Sequence, residues 1–230
     1  MTRLTRMAAY AAALAILSIL PAKATAGNLD NPGILPPDSH PYGMTYSDWT
    51  AAYWQWALAI PAPMNPLADT TGEYADVGQS GPVWFLGTLV GTAAPVTRTF
   101  EVPAGKALFF PLASAIDLQL PNEPPFHEQA SRAFLASALD PLVDVQCIID
   151  GEPVNNTTAY RFPSPLFFAD IPADDVFGLS FGAFKSGPNV SDGFWLMVRP
   201  LPPGEHTIEV LVPAFGLDIA YELTVVSGGR

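Results

Sequence analysis

Between residues 46 and 60 the apolar positions Tyr46, Trp49, Tyr53, Trp56, Ala57 and Ile60 recur at spacings of three and four, which predicts a helix with one wide aromatic face that must be covered. Thr45 followed by Asp48 is a form of capping box at its start. Pro61-Ala62-Pro63 ends it, because each proline lacks an N–H and restricts the residue before it. Trp54 and Gln55 lie off the stripe. Residues 61–81 then form a long polar connection, and loops of that length in a compact domain usually have a task.

After Gly81 the pattern changes to short runs rich in β-branched and aromatic residues, so residues 83–90, 96–102 and 107–112 are expected as strands. Pro103-Ala104-Gly105-Lys106 between the last two predicts a hairpin turn. A second helix is expected over 123–139, with Pro124 and Pro125 in its first turn, Phe126, Ala130, Ala133 and Phe134 on one face, and Asp140-Pro141 as its end. Beyond it Val143, Val145, Cys147 and Ile149 alternate before Asp150-Gly151, a hairpin dipeptide, and Pro153-Val154 reads as the start of a returning edge strand. Shorter strands are expected at 160–162, 166–168 and 176–181, and a strand, turn and strand unit at 194–212. In the last strand Ile219, Tyr221, Leu223 and Val225 face inward, with Glu222 and Thr224 outward. Many short strands between Pro/Gly turns predict an all-β, β-rich fold, an antiparallel β-sandwich or jelly-roll-like architecture with two helices set among the strands.

The start of the chain reads differently. Arg3 and Arg6, an apolar run from Met7 to Leu20 and Ala24-Thr25-Ala26 have the order of a signal peptide, so residues 1–26 are expected to be removed and the protein to be secreted or periplasmic. The run is short for a membrane span, and no later segment is apolar enough to be one. Residues 27–43 read as an extended arm and 44–230 as a single domain.

Composition narrows the function classes. Hydrophobic residues make up 49% and charged residues 14% of the 230, which suits a packed core rather than disorder. The formal charge is −12, and loss of Arg3, Arg6 and Lys23 with the signal leaves seven basic against 22 acidic residues, or −15. Such a chain repels nucleic acid and anionic lipid. A single Cys allows no internal disulfide, and its strand alternation places Cys147 on an apolar face.

No nucleophile elbow, zinc-protease helix, cysteine pair, phosphate loop or dinucleotide fingerprint occurs, and residues 69–73 lack the alternating oxygen ligands of a calcium loop. No catalytic residue, metal or cofactor is therefore assigned. The candidate ligand-binding residues are Trp54, Gln55, Asn65, Asp69, Gln79 and Trp84, because flat aromatic faces beside amide and carboxylate hydrogen-bonders suit sugar rings or similar small molecules. The competing reading has Asp69 and Gln79 fastening the loop to backbone groups. A secreted polysaccharide hydrolase or lyase using Asp69 with Asp48 or Glu73 is a second functional reading. A structural or assembly subunit of the cell envelope is a third, and the sequence leaves the oligomeric state open.

Five stretches, Trp54-Gln55-Trp56-Ala57, Asn65-Pro66-Leu67-Ala68-Asp69-Thr70-Thr71-Gly72, residues 78–86, residues 102–111 and residues 200–208, resemble a set of exported bacterial proteins of unassigned function. The resemblance implies an exported β-rich domain and brings no activity. Proteins of that set tend to carry Cys where this chain has Ala75 and Phe100, so the polar loop here is expected to be freer or held by other contacts.

Overall fold

The structure, a computed structural model, describes residue 31, residues 33–89 and residues 95–227. The expected signal peptide at 1–26, and residues 27–30 and 32 of the arm, lie outside the described residues.

Helix α1 runs Tyr46–Ala59 and begins in a complete capping box: Asp48 N–H donates to Thr45 Oγ1 at 3.1 Å and Thr45 N–H donates to Asp48 Oδ2 at 3.0 Å. The stripe is covered as expected, with Trp56 alone left half-buried. Trp54, Thr50 and Leu58, off the stripe, are buried too, because the helix is packed on a second flank against a strand of residues 167–171.

Among the described residues, nine strands and two α-helices make the fold β-rich: β1 Val83–Phe85, β2 Val96–Pro103, β3 Ala107–Asp117, then α2 Glu128–Leu139, then β4 Gln146–Ile149, β5 Glu152–Pro153, β6 Phe167–Ile171, β7 Phe184–Val198, β8 Gly204–Val212 and β9 Leu217–Val226. They form a four-stranded sheet in the order β1-β3-β7-β6 and a five-stranded sheet in the order β2-β9-β8-β4-β5. The sheets are mixed, which corrects the wholly antiparallel expectation: β1 runs parallel to β3, and β2 parallel to β9. Parallel neighbours need an intervening crossover, and β2, in the other sheet, supplies it between β1 and β3.

The turn at 103–106 therefore closes no hairpin. Gly105 takes the expected positive φ of 86°, but β2 pairs with β9 and β3 with β1 and β7, so the turn carries the chain from one sheet to the other. The similar turn between β7 and β8 crosses back. A tight turn fixes a reversal of direction, whereas pairing follows burial. Ala-Leu-Phe-Phe-Pro-Leu at the start of β3 is apolar on both faces and lies in mid-sheet, while β2 alternates and sits at an edge.

Other expectations shift locally. β1 stops at Phe85, and Val90 lies outside the described residues. Residues 157–160 form a 3-10 turn, followed by a single bridge from Arg161 to Phe194. Residues 176–181 form no strand, because the Asp175 carboxylate accepts from the N–H groups of Phe177 and Leu179 and bends the chain into a turn. α2 starts after Pro124 and Pro125 rather than on them and buries Ser131, Leu135 and Leu139, leaving Phe134 64% exposed. Phe126, counted into the expected face, precedes the helix and so does not set its phase.

Side chains from both sheets and α1 meet in one core. Phe109 of β3 stacks on Trp195 of β7 at 5.3 Å, Tyr53 of α1 meets Trp195 edge-on at 5.1 Å, and Phe110 of β3 lies 6.3 Å from Tyr221 of β9. Cys147 is buried among them, and no helix of the described residues is long and apolar enough to cross a membrane.

Candidate functional site

The six candidate residues lie on α1, on the loop after it and on β1, and the structure gives each a definite place. Trp54 is 3% and Trp84 6% exposed, so neither presents a ring face to solvent. Both indole N–H groups lack a hydrogen-bond partner. They are core residues, which corrects their assignment to an open stacking surface. The expectation read their sequence neighbourhood, but α1 is covered on two flanks and β1 lies beside a central strand.

The polar candidates are occupied by backbone. Asn65 donates through Nδ2 to the carbonyls of Ala57 at 2.8 Å and Ile60 at 2.7 Å, and its Oδ1 accepts from Leu67 N–H at 2.9 Å, so it closes the end of α1. Asp69 Oδ1 accepts from Thr71 N–H, Thr71 Oγ1 and Gly72 N–H at 2.8, 2.9 and 3.0 Å, and Oδ2 from Tyr74 N–H at 3.0 Å. Gln79 pairs with Phe85 as a strand would, donating to its carbonyl at 2.7 Å and accepting from its N–H at 2.9 Å, and it also donates to Ala75 O. Fastening is what these three side chains do. The loop is further held where Thr99 N–H of β2 donates to Thr71 O at 2.9 Å and Gly72 packs against the Thr99 backbone. These contacts hold the loop in a chain with a single Cys.

Gln55 is exposed and donates to Phe168 O of β6 at 2.9 Å. Beside it a groove of about 650 Å³ opens between α1 and residues 78–85. The half-buried rings of Trp56 and Phe85, 5.3 Å apart, wall it together with Ala52, Ala59 and Ser80. Of the six candidates only Gln55 reaches this groove. Trp56, Phe85 and Ser80 went unassigned, although Trp56 at the edge of the aromatic stripe carried a signal for a half-exposed ring.

Electrostatics bear on the hydrolase reading. Asp48 is held below the usual carboxylate range by hydrogen bonds from the Thr45 hydroxyl and N–H. At Asp69 burial pushes the pKa up, but the donors from Tyr74, Thr71 and Gly72 outweigh it and the net shift is downward. Both stay ionised at neutral pH, and neither is suited to be a general acid, which needs a raised pKa.

Two further features escaped the sequence reading. His206 Nδ1 lies 2.7 Å from Asp150 Oδ2 and Nε2 2.9 Å from Pro202 O, so both ring nitrogens face acceptors and the imidazolium is favoured. Burial lowers its pKa, but Asp150 and Pro202 outweigh that and raise it. With Nε2 engaged by a carbonyl, His206 is a clasp between two turns rather than a base. Arg98 is 3% exposed, donates through Nη1 to Gly87 O, and has Nε and Nη2 without partners. Its inward position follows from the alternation of β2, in which Val96, Arg98 and Val102 are buried. Among the described residues no group of three His, Cys, Asp or Glu side chains is placed to hold a metal ion.

No family model, curated protein or solved structure matches the chain.

Proposed function

We propose that this protein is a non-catalytic, exported ligand-binding domain whose recognition surface is the groove between α1 and residues 78–85. The observation that carries the reading is the pairing of two half-buried aromatic rings, Trp56 and Phe85, with the exposed amide of Gln55 in a recess of about 650 Å³. Ring faces stack on the C–H faces of a sugar, and an amide both donates and accepts toward its hydroxyls, so a carbohydrate-like ligand suits the groove. Asn65, Asp69 and Gln79 act behind this surface by holding the loop that forms its second wall. The commitment of Asp48 and Asp69 to backbone donors weighs against a paired-carboxylate hydrolase.

Export rests on the order of basic start, apolar run and small-residue site in residues 1–26. The stretches that resemble exported bacterial β-rich proteins include four residues of α1, most of the loop after it and both sheet-crossing turns, which supports placing the chain with that set. We also propose that the two mixed sheets close over their common core as a sandwich, a reading supported by the Phe110–Tyr221 contact between them.

Binding of the purified protein to immobilised neutral and acidic saccharides tests the assignment. Ala59 is exposed and lines the groove, so Ala59→Arg should block binding with unchanged melting, and Gln55→Ala should weaken it with at most the small loss of stability expected from its bond to Phe168 O. Absence of binding to every saccharide, or binding that Ala59→Arg leaves intact, would overturn the proposal.

A further inference from the structure

A second recess, of about 530 Å³, shares no lining residue with the α1 groove. It lies where the end of β7 parts from the β4–β5 hairpin, and the arm closes a third side. The arm is pinned there from both directions. Leu35 N–H donates to Met197 O at 2.8 Å and Arg199 N–H to Gly33 O at 2.9 Å, while Asn31 donates to Asn155 O at 2.8 Å and accepts from Asn155 N–H at 2.7 Å. The recess is therefore built by three separated segments held by backbone hydrogen bonds and by the Asn31 side chain, and its size falls in the range of small-molecule sites.

Its chemistry is narrow. Ile34 and Val198 are buried core residues, and Ile149, Val154 and Leu201 are half-buried beside them, so the apolar lining is aliphatic. Among the described residues no aromatic ring and no Lys, Arg or His lines the recess, which leaves no described group to stack a sugar or base or to pair with a carboxylate or phosphate. Two carboxylates do line it. Asp150 is engaged by His206 and by Thr207 N–H, whereas Glu152 is exposed and its carboxylate makes no hydrogen bond or ion pair among the described residues. An unpaired carboxylate beside an aliphatic recess, on a chain of formal charge −12, complements an apolar body with a cationic end.

We propose that this recess binds a small aliphatic amine, its alkyl chain against Ile34 and Val198 and its ammonium group at Glu152. The affinity should rise about fourfold per methylene as the chain lengthens, the value of one buried CH₂.

Calorimetric titration of the whole protein with butylamine, hexylamine and octylamine, beside hexanol and hexanoate, tests this. The expected result is saturable binding that strengthens along the amine series, with hexanoate weakest. Glu152→Gln should weaken hexylamine about fivefold and leave hexanol unchanged, as the loss of one exposed ion pair implies. Leu201→Trp, or Val154→Phe should that variant not fold, fills the recess and should abolish binding. Ala59→Arg, which blocks the α1 groove, should have no effect, so failure here and failure of the carbohydrate reading are distinct. Lack of saturable binding, hexanoate binding as well as hexylamine, or binding that survives a filled recess would each overturn the proposal.

Discussion

At Arg98 a cation lies in the core with a carbonyl below it and the Tyr221 ring 6.0 Å away, but among the described residues no carboxylate pairs with it. An uncompensated buried charge costs several kcal/mol, and the carbonyl it bonds is independently satisfied, since the Tyr221 hydroxyl donates to Gly87 O at 2.9 Å. Arg98→Met should therefore stabilise the protein, by about 1 kcal/mol or more, in a urea titration. A loss of similar size would mean that the guanidinium has a partner whose worth exceeds its desolvation. Cys147 is the opposite case, a group whose surroundings suit it. Burial, followed by the neighbouring Glu209 charge, pushes the thiol pKa far up, so thiolate is scarce and thiol reagents should label it only after denaturant is added. Rapid labelling of the native protein would place β4 in the wrong register.

Among the elements, the polar loop shows most directly how side-chain chemistry sets local structure. Asp69→Ala leaves three N–H donors and the Thr71 hydroxyl without their acceptor, so it should cost roughly 2 kcal/mol or more, with Asp69→Asn recovering part of the loss. Because the folded pKa of Asp69 is depressed, its stabilisation is present above the unfolded value of about 3.9 and is lost as pH falls through the folded value. The clasp at His206 runs the other way. Its folded pKa is raised, so its contribution is complete below the unfolded value of about 6.5 and fades as pH rises through the folded one. Thermal melts across that window should fall more steeply for the wild type than for His206→Gln; equal slopes would show that the imidazole gains nothing from Asp150. These elements also show what the sequence makes legible. The capping box of α1, the helix itself, the Asp150-Gly151 hairpin and the alternation of β9 rest on interactions a few residues apart, and each stands in the structure where local chemistry puts it. Sheet pairing at 103–106 does not, because the turn is local while its strands choose partners, β9 for β2 and β7 for β3, from more than seventy residues away. For the same reason Trp54 and Trp84 looked available: their burial depends on β6 and β3, which the neighbouring sequence does not announce.

For the whole molecule the decisive fact is that one core serves both sheets, without a disulfide to hold any part of it separately. All five Trp residues lie on α1, β1 or β7, so tryptophan fluorescence reports the four-stranded sheet and the helix packed on it. Far-ultraviolet circular dichroism reports the strands of both sheets. The chain crosses between the sheets at tight turns and along the β1–β2 connection, and Phe110 meets Tyr221 across the core, so neither sheet keeps its buried face when the other is lost. Unfolding in urea should consequently be one transition, with fluorescence and dichroism curves superimposed and unaffected by reductant. Emptying the junction should lower both curves together: Phe110→Ala removes a fully buried ring from between the sheets, and the expected loss is about 3 kcal/mol or more. Separated midpoints, with fluorescence lost before dichroism, would mean that the five-stranded sheet stands without its partner. The shared core would then be a contact between two units rather than the interior of one.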